Sequence, residues 1–297
     1  MKRLLVSLIL WLPVYAHAAL NIFACEPEWA ALAKEIGGGD VKVYAATTAR
    51  QDPHRIEARP SLIAQMRRAN LVVCTGADLE AGWLPVLLQN ANNAAVQPGR
   101  PGYFEAARFV SLLEKPARLD RADGDVHAAG NPHLHTDPRN ILQVAEALTA
   151  RLAEVDAANA SAHRARGNEF ARRWQAAIAR WETQAAPLRN LPVAVQHKSF
   201  SYLLAWLGLR EVAVLEPRPG VEPSVSHLAR VATELQAMPP RMVLRAAYQS
   251  PRPADWLASR TGIPALALPY TVGGNTRAQD LFGLFDDTLD QLLNAVR

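Results

Sequence analysis

The feature that most constrains the fold of this 297-residue chain is an alternation of short apolar runs with amphipathic helical stretches. In the first part of the chain, apolar runs at 21–25, 41–45 and 71–74 are separated by helical patterns at 28–33 and 61–69. After Asn190 the alternation resumes, with apolar runs at 193–195, 212–215, 242–244 and 265–268. Strands that alternate with helices predict βα units on parallel sheets, so we expect an α/β fold.

A long helical pattern separates the two alternating regions. One stretch spans 138–152, and a second at 157–187 carries large apolar residues every three or four positions. At 1.5 Å per residue the second helix would be about 45 Å long, more than one small lobe needs. We therefore predict an amino-terminal lobe at 19–156, a linker helix at 157–189 and a carboxy-terminal lobe at 190–297. Ligands of such sheets bind where the strand ends face a shared cleft.

The first eighteen residues have the composition of a secretory signal peptide. Lys2 and Arg3 precede an apolar stretch at 4–14, and Ala16 and Ala18 form an A-x-A cleavage site. The apolar stretch is shorter than the roughly 20 residues needed to span a bilayer, and no later segment comes close to that length. We therefore expect cleavage after Ala18 and a soluble, exported protein without a membrane span.

The charge pattern and the two cysteines narrow the classes of function. The chain has 32 Lys and Arg residues against 28 Asp and Glu, and the basic residues are scattered, so we expect no nucleic-acid partner. An oxidising compartment permits a disulfide between Cys25 and Cys74. Two buried, unpaired thiols explain these residues equally well at this point.

Three histidines lie in loops next to predicted strands or helices. They are His54 within 51–61, His133 within 130–138 and His197 within 195–200. Imidazole is a favoured ligand of Zn²⁺, and a site assembled from separate loops needs ligands on stiff elements. The proline before His54 and before His133 stiffens each loop, and we expect Glu57 and Arg59 to hold the His54 loop in place. A single loop histidine is more often a cap or a surface group, so the interpretation rests on the three together.

The three histidine motifs resemble those of the metal-specific substrate-binding proteins of ABC transporters, the periplasmic zinc and manganese binders. They read D-P-H-x-x-E-x-x-P-S at 52–61, N-P-H-x-H-x-D-P at 131–138 and H-x-x-F-x-Y at 197–202. The resemblance covers essentially the whole mature chain. It implies two α/β lobes joined by one linker helix, with His54, His133 and His197 as metal ligands in the cleft.

The same resemblance implies a function and a disulfide. We expect a monomeric binding protein, not an enzyme, that captures a divalent metal in the periplasm and delivers it to the membrane permease of an ABC transporter. Three neutral imidazoles favour Zn²⁺ over Mn²⁺, which prefers more oxygen ligands. The sheet order of the family makes the first and third strands neighbours, so Cys25 and Cys74 are expected to lie within disulfide range.

The sequence departs from the family at the fourth coordination position. Many relatives have a carboxylate near the end of the last strand, but segment 268–274 contains no acidic residue. Zn²⁺ prefers four ligands, and we expect water or chloride first in this position. Glu26, after the first strand, is the second candidate, and His135, two residues from His133, is the third. His127 is expected to collect metal weakly and not to act as a fixed ligand.

Two other functions are compatible with parts of this pattern. A zinc-dependent hydrolase also uses three histidines with a bound water at the fourth position, but it needs a carboxylate base beside that water. The chain contains no H-E-x-x-H motif. A protein that captures a chelated metal would share the two-lobe architecture, and the three histidines argue against it.

Overall fold

The structure, a computed structural model, describes residues 19–116, 118, 124 and 127–297. The predicted signal peptide at 1–18 lies outside the described residues. In the described part of the chain, eight strands form two four-stranded sheets. Those of the first sheet are β1 (Leu20–Ala24), β2 (Val41–Ala45), β3 (Leu71–Cys74) and β4 (Tyr103–Glu105). Those of the second sheet are β5 (Pro192–Val195), β6 (Arg210–Val214), β7 (Met242–Ala246) and β8 (Ala265–Leu268).

The two sheets have the same topology. Their strand orders are β2-β1-β3-β4 and β6-β5-β7-β8, and every paired strand is parallel. Parallel strands are covered by helices on both faces and therefore consist of continuous apolar residues; all four residues of β3 are buried. The predicted α/β fold of two parallel sheets is confirmed.

Helices flank both sheets. They are α1 (Pro27–Gly37), α2 (Pro60–Arg68), α3 (Leu84–Ala91), α4 (Pro138–Val155), α5 (Ala160–Gln184), α6 (Ser201–Leu207), α7 (Val225–Glu234), α8 (Arg252–Thr261) and α9 (Leu281–Asn294). Pro27, Pro60 and Pro138 occupy the first position of their helices, where proline's missing N–H removes no helical hydrogen bond. Among the described residues, the helices are too short or too polar to cross a membrane.

The long helix α5 joins the two lobes and packs against both. It has 25 residues and contacts α1 and α4 of the first lobe and α9 at the end of the chain. Phe170, Trp174 and Trp181 on its inner face are fully buried in one apolar cluster that includes residues of both sheets. Two smaller clusters cover the outer faces of the sheets. The lobes therefore share a continuous core, and the cleft lies between them.

A disulfide joins the central strands of the first sheet. Ala24 pairs with Val73 in the register of β1 and β3, so the next residues, Cys25 and Cys74, have Cα atoms 4.8 Å apart and are bonded. Both are fully buried. The predicted disulfide is confirmed, and it holds the carboxyl ends of two strands from which loops lead to the site.

Strand β4 is absent from our sequence prediction. It has three residues, and only Phe104 among them is buried. So short a segment shows neither a continuous apolar run nor an alternation, so tertiary pairing with β3 decides its conformation.

Candidate metal centre

Three histidines from separate parts of the chain meet between the lobes. His54 lies in the loop between β2 and α2, His133 in the turn before α4, and His197 two residues after β5. Each ring offers a nitrogen, and the three nitrogens lie within 4.8 Å of one another. His133 is almost fully buried, and the side chains of the other two are each 9% exposed. The structure brings together the three residues that the motifs indicated.

Carboxylates hold two of these rings. His54 Nδ1 lies 2.7 Å from Asp52 Oδ1, and His197 Nδ1 lies 2.7 Å from Glu216 Oε2. Because an ionised carboxylate only accepts hydrogen bonds, each Nδ1 carries the proton and each Nε2 keeps its lone pair. Metal-binding histidines are commonly oriented in this way. Burial acts to raise the pKa of Asp52, but the hydrogen bonds from the ring and the backbone N–H of His54, together with the charges of His54 and His197, outweigh burial and lower that pKa below its ordinary value.

The third ring has a different partner. His133 Nδ1 lies 2.8 Å from the hydroxyl oxygen of Tyr270, which belongs to the other lobe. Burial, followed by the neighbouring imidazoles of His54 and His197, lowers the pKa of His133 well below its ordinary value. The ring is therefore neutral, which is the form that ligates a metal.

A hydrogen bond from a neighbouring loop holds the loop that carries His54. Trp83 Nε1 donates a hydrogen bond to the carbonyl oxygen of Pro53 at 2.9 Å. The prediction that Glu57 and Arg59 hold this loop is wrong. Both are exposed, and among the described residues their side chains make no hydrogen bond or ion pair.

Sequence reasoning did not assign Asp52, Glu216, Trp83 or Tyr270 to the site. Asp52 belongs to the motif that contains His54, and its position two residues before a candidate ligand was a usable signal. The other three lie 19 or more residues from the group they contact, so no local pattern connects them.

Glu26 and His135, two candidates for the fourth ligand, are engaged elsewhere. Glu26 Oε2 accepts hydrogen bonds from the backbone N–H and the hydroxyl of Thr75, at 3.3 and 3.0 Å. Burial, and next the charge of Glu80, raises the pKa of Glu26 well above its ordinary value. His135 Nε2 lies 3.1 Å from the carbonyl oxygen of Tyr270, and its Nδ1 lies 3.2 Å from Glu28 Oε1.

His127 approaches the cluster itself. Its Nε2 lies 3.2 Å from His54 Nε2, and the two ring centroids are 5.2 Å apart. Since His54 Nδ1 faces Asp52, the nitrogen that His127 meets is the one with the lone pair. His127 therefore contacts one ring of the cluster, although the nitrogens that all lie within 4.8 Å of one another are those of His54, His133 and His197.

Two open cavities flank the histidines. One, of about 320 Å³, is lined by His54, His197 and three carboxylates, those of Asp52, Glu216 and Glu222. The other, of about 250 Å³, is lined by His127, His133 and His197 together with Glu114 and Lys198. Arg55 also lines the first cavity, so its carboxylates outnumber its one guanidinium, and this excess of negative charge favours entry of cations.

Two α/β lobes, one connecting helix and a histidine cluster between the lobes define a two-lobed, metal-binding protein of the substrate-binding class. The chain belongs to the family of ZnuA, the periplasmic component A of the zinc-uptake complex, whose model matches residues 22–295.

Curated relatives and solved structures agree with this family. The high-affinity zinc uptake system protein ZnuA of Bacillus subtilis (strain 168) is 24% identical over 263 residues, which are 87% of this chain and 80% of that protein. The metal ABC transporter substrate-binding lipoprotein SloC of Streptococcus mutans is 20% identical over 261 residues, or 86% of this chain and 82% of SloC.

A crystal structure of ZnuA superposes with a TM-score of 0.78 at 22% identity, covering 94% of this chain and 100% of the other. A manganese-bound periplasmic metal binding protein from Candidatus Liberibacter asiaticus has a TM-score of 0.76 at 15% identity, with the same coverage. At these identities the structural likeness establishes the fold alone.

Proposed function

We propose that this protein captures a divalent transition metal, Zn²⁺ in preference to Mn²⁺, with His54, His133 and His197, and delivers it to the membrane permease of an ABC transporter. The observation that carries the proposal is the set of three rings, each held at Nδ1, whose ligand nitrogens lie within 4.8 Å of one another. The B. subtilis relative is named for zinc uptake and SloC for metal ABC transport, which supports the assignment.

The donor set supports zinc over manganese. The three rings offer nitrogen, whereas Mn²⁺ favours sites rich in carboxylate, carbonyl and water oxygens. The nearest carboxylates, those of Asp52 and Glu216, accept hydrogen bonds from the rings. A ligand set of neutral imidazoles is the chemistry of zinc sites.

We infer that His127 is the fourth ligand, ahead of water, Glu26 and His135. Tetrahedral zinc with Zn–N bonds of 2.0–2.1 Å places its nitrogens about 3.4 Å apart. The Nε2 atoms of His54 and His127 are 3.2 Å apart, close to that separation. Glu26 Oε2 accepts hydrogen bonds from Thr75, and His135 Nε2 lies 3.1 Å from the carbonyl oxygen of Tyr270, whereas His127 Nε2 contacts His54 Nε2 directly.

The remaining parts of the proposal rest on the two-lobe architecture and on the composition of the first eighteen residues. We propose the lobe boundaries 19–156 and 190–297 around a linker at 157–189, export to the periplasm after cleavage behind Ala18, and action as a monomer. All the proposed ligands come from one chain, so one copy is sufficient to form the site.

Binding without catalysis is favoured, because a hydrolase needs a carboxylate base beside its zinc-bound water and both Asp52 and Glu216 are bonded to imidazoles.

The test is metal analysis of protein purified from the periplasm without added metal, followed by competitive titration with Zn²⁺ and Mn²⁺. We expect stoichiometric zinc and tighter binding of Zn²⁺. Single His54→Ala, His133→Ala and His197→Ala variants should each lose at least about 100-fold in zinc affinity, with His227→Ala on α7 as the matched control. Stoichiometric manganese with weak zinc binding, or three variants that titrate like the wild type, would overturn the proposal.

The role of His127 is tested separately by X-ray absorption of the zinc-loaded protein. His127→Ala should remove one imidazole from the coordination shell and weaken zinc binding. An unchanged shell and affinity would return water or chloride to the fourth position.

A further inference from the structure

Tyr270, at the end of the last strand, contacts two histidines of the other lobe. It follows β8 by two residues, has a positive φ of 67° and is 5% exposed. Its hydroxyl oxygen lies 2.8 Å from His133 Nδ1, and its carbonyl oxygen lies 3.1 Å from His135 Nε2. Its ring also packs edge-on against both imidazoles, with centroids 5.8 and 4.7 Å away. Tyr270 of the carboxy-terminal lobe therefore contacts both histidines of the turn, His133 and His135.

Thr271, the next residue, adds a second contact between the two lobes. Thr271 Oγ1 donates a hydrogen bond to Glu28 Oε2 on α1 of the first lobe, and Glu28 Oε1 lies 3.2 Å from His135 Nδ1. Glu28, His135 and Thr271 are all at least 97% buried. Two consecutive residues, 270 and 271, thus connect the end of β8 to both the His133 turn and the start of α1.

The partner of His133 differs chemically from those of His54 and His197. Asp52 and Glu216 accept hydrogen bonds only, and they fix the proton of their imidazole on Nδ1. A phenol either donates or accepts. When Tyr270 donates, His133 carries its proton on Nε2 and has no lone pair for a metal there; when Tyr270 accepts, Nε2 is free to ligate. The ring keeps the same orientation in both states.

We propose that Tyr270 is a positioning residue for the metal ligand His133 that acts across the lobe interface. Its hydroxyl keeps the imidazole aimed at the centre whichever nitrogen carries the proton, so tight metal binding requires the two lobes to stay in contact at this point. Segment 268–274 has no acidic residue that could bind the metal itself. The end of β8 therefore acts on the proposed site indirectly, through the hydrogen bond between Tyr270 and His133. Any movement that withdraws residue 270 would free the His133 ring and promote release of the metal. The inference rests on the proposed function, since it takes His133 as a ligand.

The experiment compares two tyrosine variants. Tyr270→Phe removes the hydroxyl and keeps the ring packing. Tyr202→Phe is the matched control: Tyr202 holds the same turn from the other lobe, because its hydroxyl donates to the carbonyl oxygen of Asn131 at 2.7 Å and accepts from the N–H of Leu113 at 3.0 Å, but its bonds are to the backbone and not to an imidazole. Zinc affinity, zinc dissociation into a chelator, unfolding free energy and the ¹⁵N spectrum of His133 are measured for each.

Tyr270→Phe should weaken zinc binding by about 10- to 100-fold, mainly through faster dissociation, because partners that orient a ligand typically contribute that much. It should also shift the ¹⁵N signals of His133 in the metal-free protein. Tyr202→Phe should keep zinc affinity within about twofold of the wild type, even where it lowers stability as much as Tyr270→Phe does.

Equal losses of zinc affinity in the two variants would show a general role in lobe contact and overturn the inference, as would unchanged His133 signals in Tyr270→Phe. The His133→Ala variant separates this inference from the proposed function. If His133→Ala binds zinc like the wild type, the site itself is misassigned. If His133→Ala loses zinc while Tyr270→Phe retains it, only the role of Tyr270 fails.

Discussion

Trp83 Nε1 donates a hydrogen bond to the carbonyl oxygen of Pro53 at 2.9 Å, which ties the loop after β3 to the residue immediately before His54. Trp83 is 1% exposed and packs in the outer core of the first lobe. The same loop is anchored by Glu80, whose carboxylate accepts hydrogen bonds from the backbone N–H groups of Thr75 and Gly76. A proposed metal ligand on one loop is therefore held in place by a core residue of another loop.

Replacing Trp83 with Phe should weaken zinc binding several-fold. The variant keeps an aromatic ring in the core but loses the hydrogen bond to Pro53, which is worth about 1 kcal/mol to stability and also restrains the His54 loop. Titration with zinc and denaturant unfolding measure the two effects. Trp181→Phe is the control. Trp181 lies on α5, and its Nε1 donates a hydrogen bond to Asp286 of α9 instead of to a loop that carries a proposed ligand. Equal losses of zinc affinity in both variants would contradict the link between Trp83 and His54.

Removing the carboxyl group of Glu80 should change how stability depends on pH. Burial raises the pKa of Glu80 from 4.5 to about 7 in the folded protein. The folded state therefore holds this proton more tightly than the unfolded chain does, and the resulting stability is present below pH 4.5 and lost as pH rises through 7. A shift of this size corresponds to on the order of 3 kcal/mol.

Glu80→Gln should abolish that part of the pH dependence, so that its unfolding free energy falls less between pH 5 and pH 8 than that of the wild type. Urea unfolding at the two pH values is the measurement, with the exposed Glu234→Gln as control. The same slope in Glu80→Gln and the wild type would show that Glu80 is not the group responsible.

Replacing both cysteines with alanine should destabilise the fold and leave zinc binding nearly unchanged. The disulfide links residues that are 49 positions apart in the sequence. By restricting the unfolded chain, a loop of this length is expected to add about 4 kcal/mol to the free energy of unfolding. Guanidinium unfolding of Cys25→Ala/Cys74→Ala against the oxidised wild type checks the first part, and zinc titration of the folded variant checks the second. A large loss of zinc affinity would mean that the disulfide also positions the His54 loop.

Zinc affinity should fall below about pH 6, because a protonated imidazole has no lone pair to offer and the unperturbed pKa of histidine is about 6.5. Burial and the neighbouring imidazoles lower the pKa of His133, so this ligand stays neutral when free imidazole is protonated. Fewer protons than histidine ligands should therefore be released per zinc bound at pH 5.5. Calorimetric titration in buffers of different ionisation enthalpy counts them, and one proton per ligand would contradict the lowered pKa of His133.

The amino-acid sequence by itself predicted the architecture of two parallel sheets and identified the three histidines that are proposed as metal ligands. Apolar periodicity is a local property, and it defined seven of the eight strands and the long helix before any contact was known. The prolines before His54 and His133 and the short motifs around all three histidines lie within about ten residues of the ligands, so they are visible in the chain. Because the chain has two cysteines, Cys25 and Cys74, a disulfide within it could form in one way.

Only the tertiary structure decided what surrounds the three histidines. Tyr270 and His133 are 137 residues apart and Trp83 and Pro53 are 30 apart, and no periodicity or motif links residues at such separations. The sequence ranked Glu26 and His135 as the second and third candidates for the fourth position, but the fold places them against Thr75, Glu28 and Tyr270. The physical reason is that a buried polar group is oriented by whichever donor or acceptor the packing of distant segments brings within about 3 Å, and that choice is made only when the two lobes close over a common core.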